Sequence, residues 1–211
     1  MIIKSLCLVI SLVTTNIVTD NPITISDLIN DNNPIIKIQE YMNVHDEKLI
    51  DEVAELSVIY EGFKSRPYYC PQGYLTIGYG TLIKDKSLVV DEETAYIWLI
   101  KSLNKHKKTL DEHLPWWRSL TRERQIAMIS LTHNLGVAKL KKFEKMLSAL
   151  KKGDYETAAI ELLYKEKGSK YKSKYFKQVG KRAVQTAYAL LTNHWDTTLK
   201  SKDIKLFDYY T

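Results

Sequence analysis

Glu61-Gly62-Phe63-Lys64-Ser65-Arg66-Pro67-Tyr68-Tyr69-Cys70-Pro71-Gln72-Gly73-Tyr74-Leu75-Thr76-Ile77-Gly78-Tyr79-Gly80 is the stretch that interrupts an otherwise helical chain. Between residues 62 and 84, Gly62, Pro67, Pro71, Gly73, Gly78 and Gly80 punctuate short runs of Tyr, Leu, Thr and Ile. That is the composition of a small antiparallel sheet with tight turns. The stretch also carries reactive groups: Glu61 at a helix end, the thiol of Cys70 nine residues on, and the hydroxyl of Thr76 fifteen residues on. Turns between them can bring the three together. The residue types alone equally fit a solvated helix terminus, a small buried thiol and an ordinary strand threonine.

Upstream, Leu49, Ile50, Val53, Leu56 and Ile59 recur at helical spacing behind Asp46, a good N-cap, so a helix is expected from about Asp46 to Glu61. Downstream, Asp91 is placed to cap a helix holding Ala95, Trp98, Leu99 and Leu103. Thr121 is placed to cap one holding Ile126, Ile129, Leu131 and Leu135 and ending at Gly136. Further helices fit residues 140 to 151, 155 to 165 and 180 to 192. The pattern is a small β element followed by a helical body, without internal repeats.

Composition bounds the function. The 211 residues are 45% hydrophobic and 27% charged, with eight glycines, five prolines and two cysteines, which suits a folded domain and excludes collagen-like, disulfide-framework and low-complexity chains. The net charge of +6 is unevenly spread: residues 1 to 100 hold 7 Lys/Arg against 14 Asp/Glu, whereas residues 101 to 182 hold 21 against 8. A cationic half of that size suits a polyanionic partner such as nucleic acid, anionic lipid or an acidic wall polymer, or solvated helix faces.

The first residues, Met1-Ile2-Ile3-Lys4, are followed by an apolar run to Val18 before the first acid, Asp20. One cation ahead of a run shorter than a membrane span of about 20 residues reads as an export signal, cleaved or acting as a transient membrane anchor. A buried strand is the alternative, given the Val, Ile and Thr content. Residues 20 to 45, with Asn21-Pro22 and Asn30-Asp31-Asn32-Asn33-Pro34, read as a linker.

The spacing Glu61, eight residues, Cys70, five residues, Thr76, then Ile77-Gly78-Tyr79-Gly80 resembles the active-site signature of the phage lysozymes, the T4-type and lambdoid endolysins, whose middle residue is Asp or Cys. Asn134-Leu135-Gly136 followed by Phe143, the turn Leu150-Lys151-Lys152-Gly153-Asp154-Tyr155, Gly180-Lys181-Arg182 and Trp195-Asp196 are similar to later elements of that family. The chain departs from it at Thr81, where the family usually has His, and residues 20 to 45 and 199 to 211 match nothing in it. The resemblance covers a lysozyme-like catalytic domain over 46–198; with the export segment or anchor over 1–19 and the linker over 20–45 read from composition, a C-terminal tail is left over 199–211.

The resemblance implies an α+β fold, with a small antiparallel β lobe packed on a larger α-helical lobe and the active-site cleft between them. It implies hydrolysis of the β-1,4 bond between N-acetylmuramic acid and N-acetylglucosamine in peptidoglycan, by a monomer outside the cytoplasm and without cofactor or metal. Glu61 would protonate the departing glycosidic oxygen, which requires partial withdrawal from water. Cys70 would take the place of the second carboxylate, as a thiolate orienting water or supplying negative charge. Thr76 would help hold the attacking water, with inversion at the anomeric carbon. Tyr79, Asn134, Phe143 and Arg182 are the substrate-side residues, with Arg182 also the candidate partner of Glu61; Tyr68, Tyr69 and Tyr74 could stack on sugar rings or pack the small lobe. Pairing of Cys7 with Cys70 in an oxidising compartment would block the site.

Three other readings compete. A lytic transglycosylase would cut the same bond with a single acid and leave an anhydro sugar. A wall-binding module without activity leaves the Glu61 to Thr76 spacing unexplained. A nucleic-acid-binding protein would use the lysine-rich helices, but no zinc-ligand spacing or RNA-binding motif supports it. His45, His106, His113, His133 and His194 show no metal-ligand pairing, so neither nucleic acid nor metal is expected.

Overall fold

The computed structural model describes residues 34–165 and 168–210. The export segment, Cys7 and most of the expected linker lie outside the described residues.

Helix α1 spans Pro34–Glu61 and so begins well ahead of Asp46. The stretch from 34 to 45, expected as linker, is helical; Pro34 is tolerated at the first turn because its missing N–H would have no partner there. Asp46 lies within the helix instead of capping it, and its carboxylate receives bonds from Lys107 and Arg118. The buried face of α1 runs Leu49, Ile50, Val53, Ala54, Ser57, at steps of three and four residues. Ser57 is accepted on that face because its hydroxyl donates to the Val53 carbonyl at 2.8 Å. Ile59, expected in the stripe, is 57% exposed. The next positions on the buried face are Tyr60 and Glu61, so helical geometry carries the carboxylate toward the body. Gly62, at φ 64°, ends the helix, its N–H donating to the Val58 carbonyl.

The strands are β1, Lys64–Tyr69; β2, Leu75–Gly78; and β3, Thr81–Leu82. They form one antiparallel sheet in the order β1-β2-β3. Tyr68 faces Thr76 and Tyr69 faces Leu75, and the register shifts between Lys64 and Tyr68, across Pro67, which has no N–H for the ladder. Cys70 and Gly73 close the β1–β2 turn, with the Gly73 N–H donating to the Cys70 carbonyl at 2.8 Å.

Helix α2, Glu92–His113, joins the lobes. Asp91 caps it as expected, accepting from the Thr94 N–H at 2.8 Å. It packs on β2 at its start and on the helical body along its length. At the first junction a Cβ on Gly78 would stand 2.9 Å from the Cβ of Ala95, so the missing side chain is what lets sheet and helix meet.

The large lobe comprises a 3-10 turn, Pro115–Ser119, and helices α3 (Arg122–Leu135), α4 (Val137–Leu140), α5 (Glu144–Lys152), α6 (Tyr155–Leu163), α7 (Lys174–Val179) and α8 (Lys181–Thr192). Thr121 stands at the N-cap position of α3 but makes no capping bond; its hydroxyl goes to Asn193. Small residues on facing sides, Ala158 and Ala159 of α6 and Ala183 and Ala187 of α8, are fully buried and allow the two helices a close approach. A second 3-10 run, Ser201–Tyr210, folds back on α6 and α8. The C-terminal stretch is thus more than a tail, since Phe207 is fully buried. The observed architecture is the α+β class expected. Among the described residues no helix is long and apolar enough to cross a membrane.

Candidate active site

Glu61 and Arg182 meet across the molecule. Arg182 Nη1 donates to Glu61 Oε1 at 2.7 Å, from the first turn of α8 to the last residue of α1. Arg182 is 5% exposed, and a guanidinium so far from water costs several kcal/mol, about the scale of burying any ion, unless its donors are met. They are met. Ser130 Oγ accepts from Nη2 at 3.3 Å, and the Asn134 amide oxygen, turned toward the guanidinium, lies 2.6 Å from Nη1 and 2.7 Å from Nη2. The guanidinium carbon lies over the Tyr60 ring, 4.6 Å from its centroid. Ser130 and Asn134 are one helical turn apart on α3, so a single helix face supplies both acceptors.

Glu61 is thereby held by one oxygen. The other, Oε2, lies toward Gly80, where an added Cβ would stand 3.6 Å away. Gly80, at φ 86°, brings the chain past the carboxylate without a side chain in front of it. With 31% of its side chain exposed, Glu61 is half withdrawn from water and still open to a ligand.

Thr76 is 3% exposed, and its hydroxyl lies 3.1 Å from the Tyr68 carbonyl and 3.3 Å from the Tyr74 carbonyl. A hydroxyl has one proton, so Thr76 can offer a water a lone pair but no further donor. Cys70 is a free, half-buried thiol at the mouth of the β1–β2 turn. Its expected partner, Cys7, lies outside the described residues.

Tyr79 departs from expectation. It is 4% exposed and its hydroxyl donates to Glu92 Oε1 at 2.7 Å; burial, with the Glu92 bond and charge behind it, pushes the phenol up to about 12. It packs the junction of sheet and α2 beside Phe63 and presents no face to a sugar. Tyr79 follows the end of β2, beyond Gly78 at φ 65°, and the turn there carries its ring inward. By contrast, Tyr69 and Tyr74 are well exposed at the hairpin.

Phe143 lies in the large lobe, on the wall of a cavity of about 620 Å³ between α5 and α7. Its ring meets Tyr175 edge-on, with centroids 6.4 Å apart, and Lys139, Lys142 and Lys145 stand along the rim. The cavity begins at Leu135, next in sequence to the Asn134 that supports Arg182. The structure therefore brings Glu61, Arg182 and Asn134 into contact, and sets Phe143 in the neighbouring cavity.

Tyr60, Ser130, Gln185 and His133 escaped the sequence reading. Ser130 and Asn134 repeat at i and i+4, and Arg182 and Gln185 at i and i+3; one helix face joins each pair. His133 had no such signal. It is packed against His106, ring centroids 5.3 Å apart, and burial first, then the charges of His106 and Arg182, lower it to about 3.

Among curated proteins the chain is similar to the pre-baseplate central spike protein Gp5 of Enterobacteria phage T4, at 26% identity over 46% of this chain and 22% of that protein. The chain thus spans about a fifth of the length of that relative. Residues 58–197, which run from the end of α1 to the approach to the C-terminal 3-10 run, match the family described as phage lysozyme, and the chain belongs to that family.

Proposed function

We propose that this chain is a phage endolysin that hydrolyses the β-1,4 bond between N-acetylmuramic acid and N-acetylglucosamine in peptidoglycan and so opens the host wall. The observation that carries the reading is the divided use of the Glu61 carboxylate, with Oε1 held by Arg182 and Oε2 left toward Gly80. One oxygen is fixed in space and the other is presented to a ligand, which is what a positioned acid requires.

In the reaction the glycosidic C–O bond breaks while Glu61 gives its proton to the departing oxygen. Water forms the new bond at the anomeric carbon, and its proton passes to Cys70 as the thiolate. Return of that proton from Cys70 to Glu61 through solvent restores the enzyme. Attack from the side opposite the leaving group inverts the anomeric carbon. The lysine-rimmed cavity beside Phe143 suits a polymer that carries peptide carboxylates, and the basic half of the chain speeds encounter with an acidic wall. The enzyme acts as a monomer, delivered to the periplasm by residues 1–19.

A second reading has one observation in its favour. The Thr76 proton is committed to backbone carbonyls, leaving a water only its lone pairs, one contact fewer than a fully held nucleophile would have; a transglycosylase, in which a hydroxyl of the substrate sugar displaces the leaving group, needs no such water. Digestion of purified peptidoglycan followed by mass spectrometry of the muropeptides separates the two. Hydrated reducing ends that disappear in Glu61→Gln and nearly disappear in folded Cys70→Ser support hydrolysis. Anhydro ends support the transglycosylase, and intact glycan with folded wild-type protein removes both.

A further inference from the structure

Resting on the reading of Glu61 as the acid, we propose that Tyr60 and Gln185 are positioning residues, the Tyr60 ring forming the wall that orients Arg182 against Glu61, and Gln185 locking that ring to the C-terminal segment. Tyr60 immediately precedes Glu61, and both reach the same guanidinium. Glu61 takes one of its N–H groups, while the Tyr60 ring lies under its central carbon at 4.6 Å. A cation held at two such points is restrained in where it can turn.

Gln185, one turn beyond Arg182 on α8, is fully buried. Its Nε2 donates to the carbonyls of Thr197 at 2.8 Å and Leu199 at 2.7 Å. Both amide protons are therefore used on backbone acceptors, and Oε1 must face a donor. That donor is the Tyr60 hydroxyl. Burial, which outweighs the nearby Arg182, pushes the Tyr60 phenol up to about 12, so it remains a donor through the neutral range. The stretch from Thr197 to Leu199 is fixed in turn by the following 3-10 run, which sinks Phe207 into the core. A connected path thus leads from the C-terminal segment through Gln185 and Tyr60 to Arg182 and the carboxylate.

The test uses the full chain and four variants: Tyr60→Phe, Tyr60→Leu, Gln185→Leu, and Tyr60→Phe combined with Gln185→Leu. Two quantities are read: muropeptide release as kcat and KM, and exchange with water of the Arg182 Nε–H by NMR, which needs no turnover. Thermal unfolding confirms that each variant is folded. Tyr60→Leu removes wall and lock; it should lower kcat about tenfold or more with KM within about twofold, since misplaced catalytic groups cost turnover before they cost binding. Its Arg182 Nε–H should exchange about tenfold faster, in proportion to the freedom gained. Tyr60→Phe keeps the ring and should lose about threefold in kcat. The combined variant should be no worse than Gln185→Leu, because one lock cannot be lost twice.

Unchanged kcat and unchanged Arg182 exchange in folded Tyr60→Leu overturn the proposal, as does additive loss in the combined variant. Should wild type release no products, the reading of Glu61 as the acid falls, and the Arg182 exchange still decides whether Tyr60 and Gln185 orient the guanidinium.

Discussion

Arg182 Nη1 lies 2.7 Å from Glu61 Oε1 although 121 positions separate the two residues in the chain. The contact is made by one fork of a guanidinium whose remaining donors are engaged by Ser130 and Asn134. Lysine keeps the charge but has neither the fork nor the flat face. Arg182→Lys should therefore lower kcat/KM for muropeptide release by about 10- to 100-fold, as expected for a slightly misplaced acid. Near wild-type turnover in this variant would show that charge alone suffices.

Gly78 is a tight point between sheet and helix. Alanine there would bring two Cβ atoms to 2.9 Å and would hold φ near 65°. A left-handed residue costs about 1–2 kcal/mol and an overpacked contact about 1–3 kcal/mol. Gly78→Ala should lose about 2–4 kcal/mol in urea unfolding; a change within 0.5 kcal/mol, about the size of a surface effect, would mean that the junction relaxes freely.

His133 makes the fold sensitive to acid. Burial holds it neutral in the native state to about 3, whereas in the unfolded chain it protonates near 6.5. Between those values the unfolded chain binds the extra proton, so stability falls as pH falls through that window. The loss attributable to His133 between pH 7 and pH 5 should be about 2 kcal/mol. Denaturant unfolding of His133→Gln at the two pH values should show a correspondingly shallower decline, and equal slopes would refute the assignment.

Asp46 behaves in the opposite sense. Burial would raise its carboxyl, but the bonds from Arg118 and Lys107 outweigh burial and hold it below 3.8. Its contribution is present above 3.8 and is lost as pH falls through the lowered value. Asp46→Asn should cost about 1–3 kcal/mol at pH 7, the range for a partly buried charged hydrogen bond, and the gap to wild type should narrow as pH falls below 3.8. A gap that persists in acid would point to packing instead of charge.

The parts of this molecule that were legible in its sequence are those set by local chemistry. Glycine and proline spacing marked the hairpin, Asp91 marked a helix start, and the Glu61 to Thr76 spacing pointed to the family that matches residues 58–197. Asp46 misled because an aspartate ahead of an apolar stripe looks the same whether it caps a helix or is ion-paired within one. Tyr79 misled because tyrosine suits both a sugar face and a core, and only the turn after Gly78, which carries it inward, separates them. The bond between Tyr60 and Gln185 was invisible, since nothing local announces a contact across 125 positions, although the i, i+3 spacing from Arg182 already set Gln185 on the same helix face. The buried Phe207 was missed for the same reason.

Helix α1 also acts as a spacer. Its 28 residues, at about 1.5 Å each, make a rod about 42 Å long, with Glu61 at one end and Pro34 at the other. Whatever grips the chain ahead of Pro34, whether a bilayer, a resin or a fused domain, is separated from the carboxylate by the length of that rod. Immobilisation from the N-terminal side should therefore leave the cleft standing clear of the support, whereas attachment through the C-terminal segment would pull on the very residues that lock Gln185.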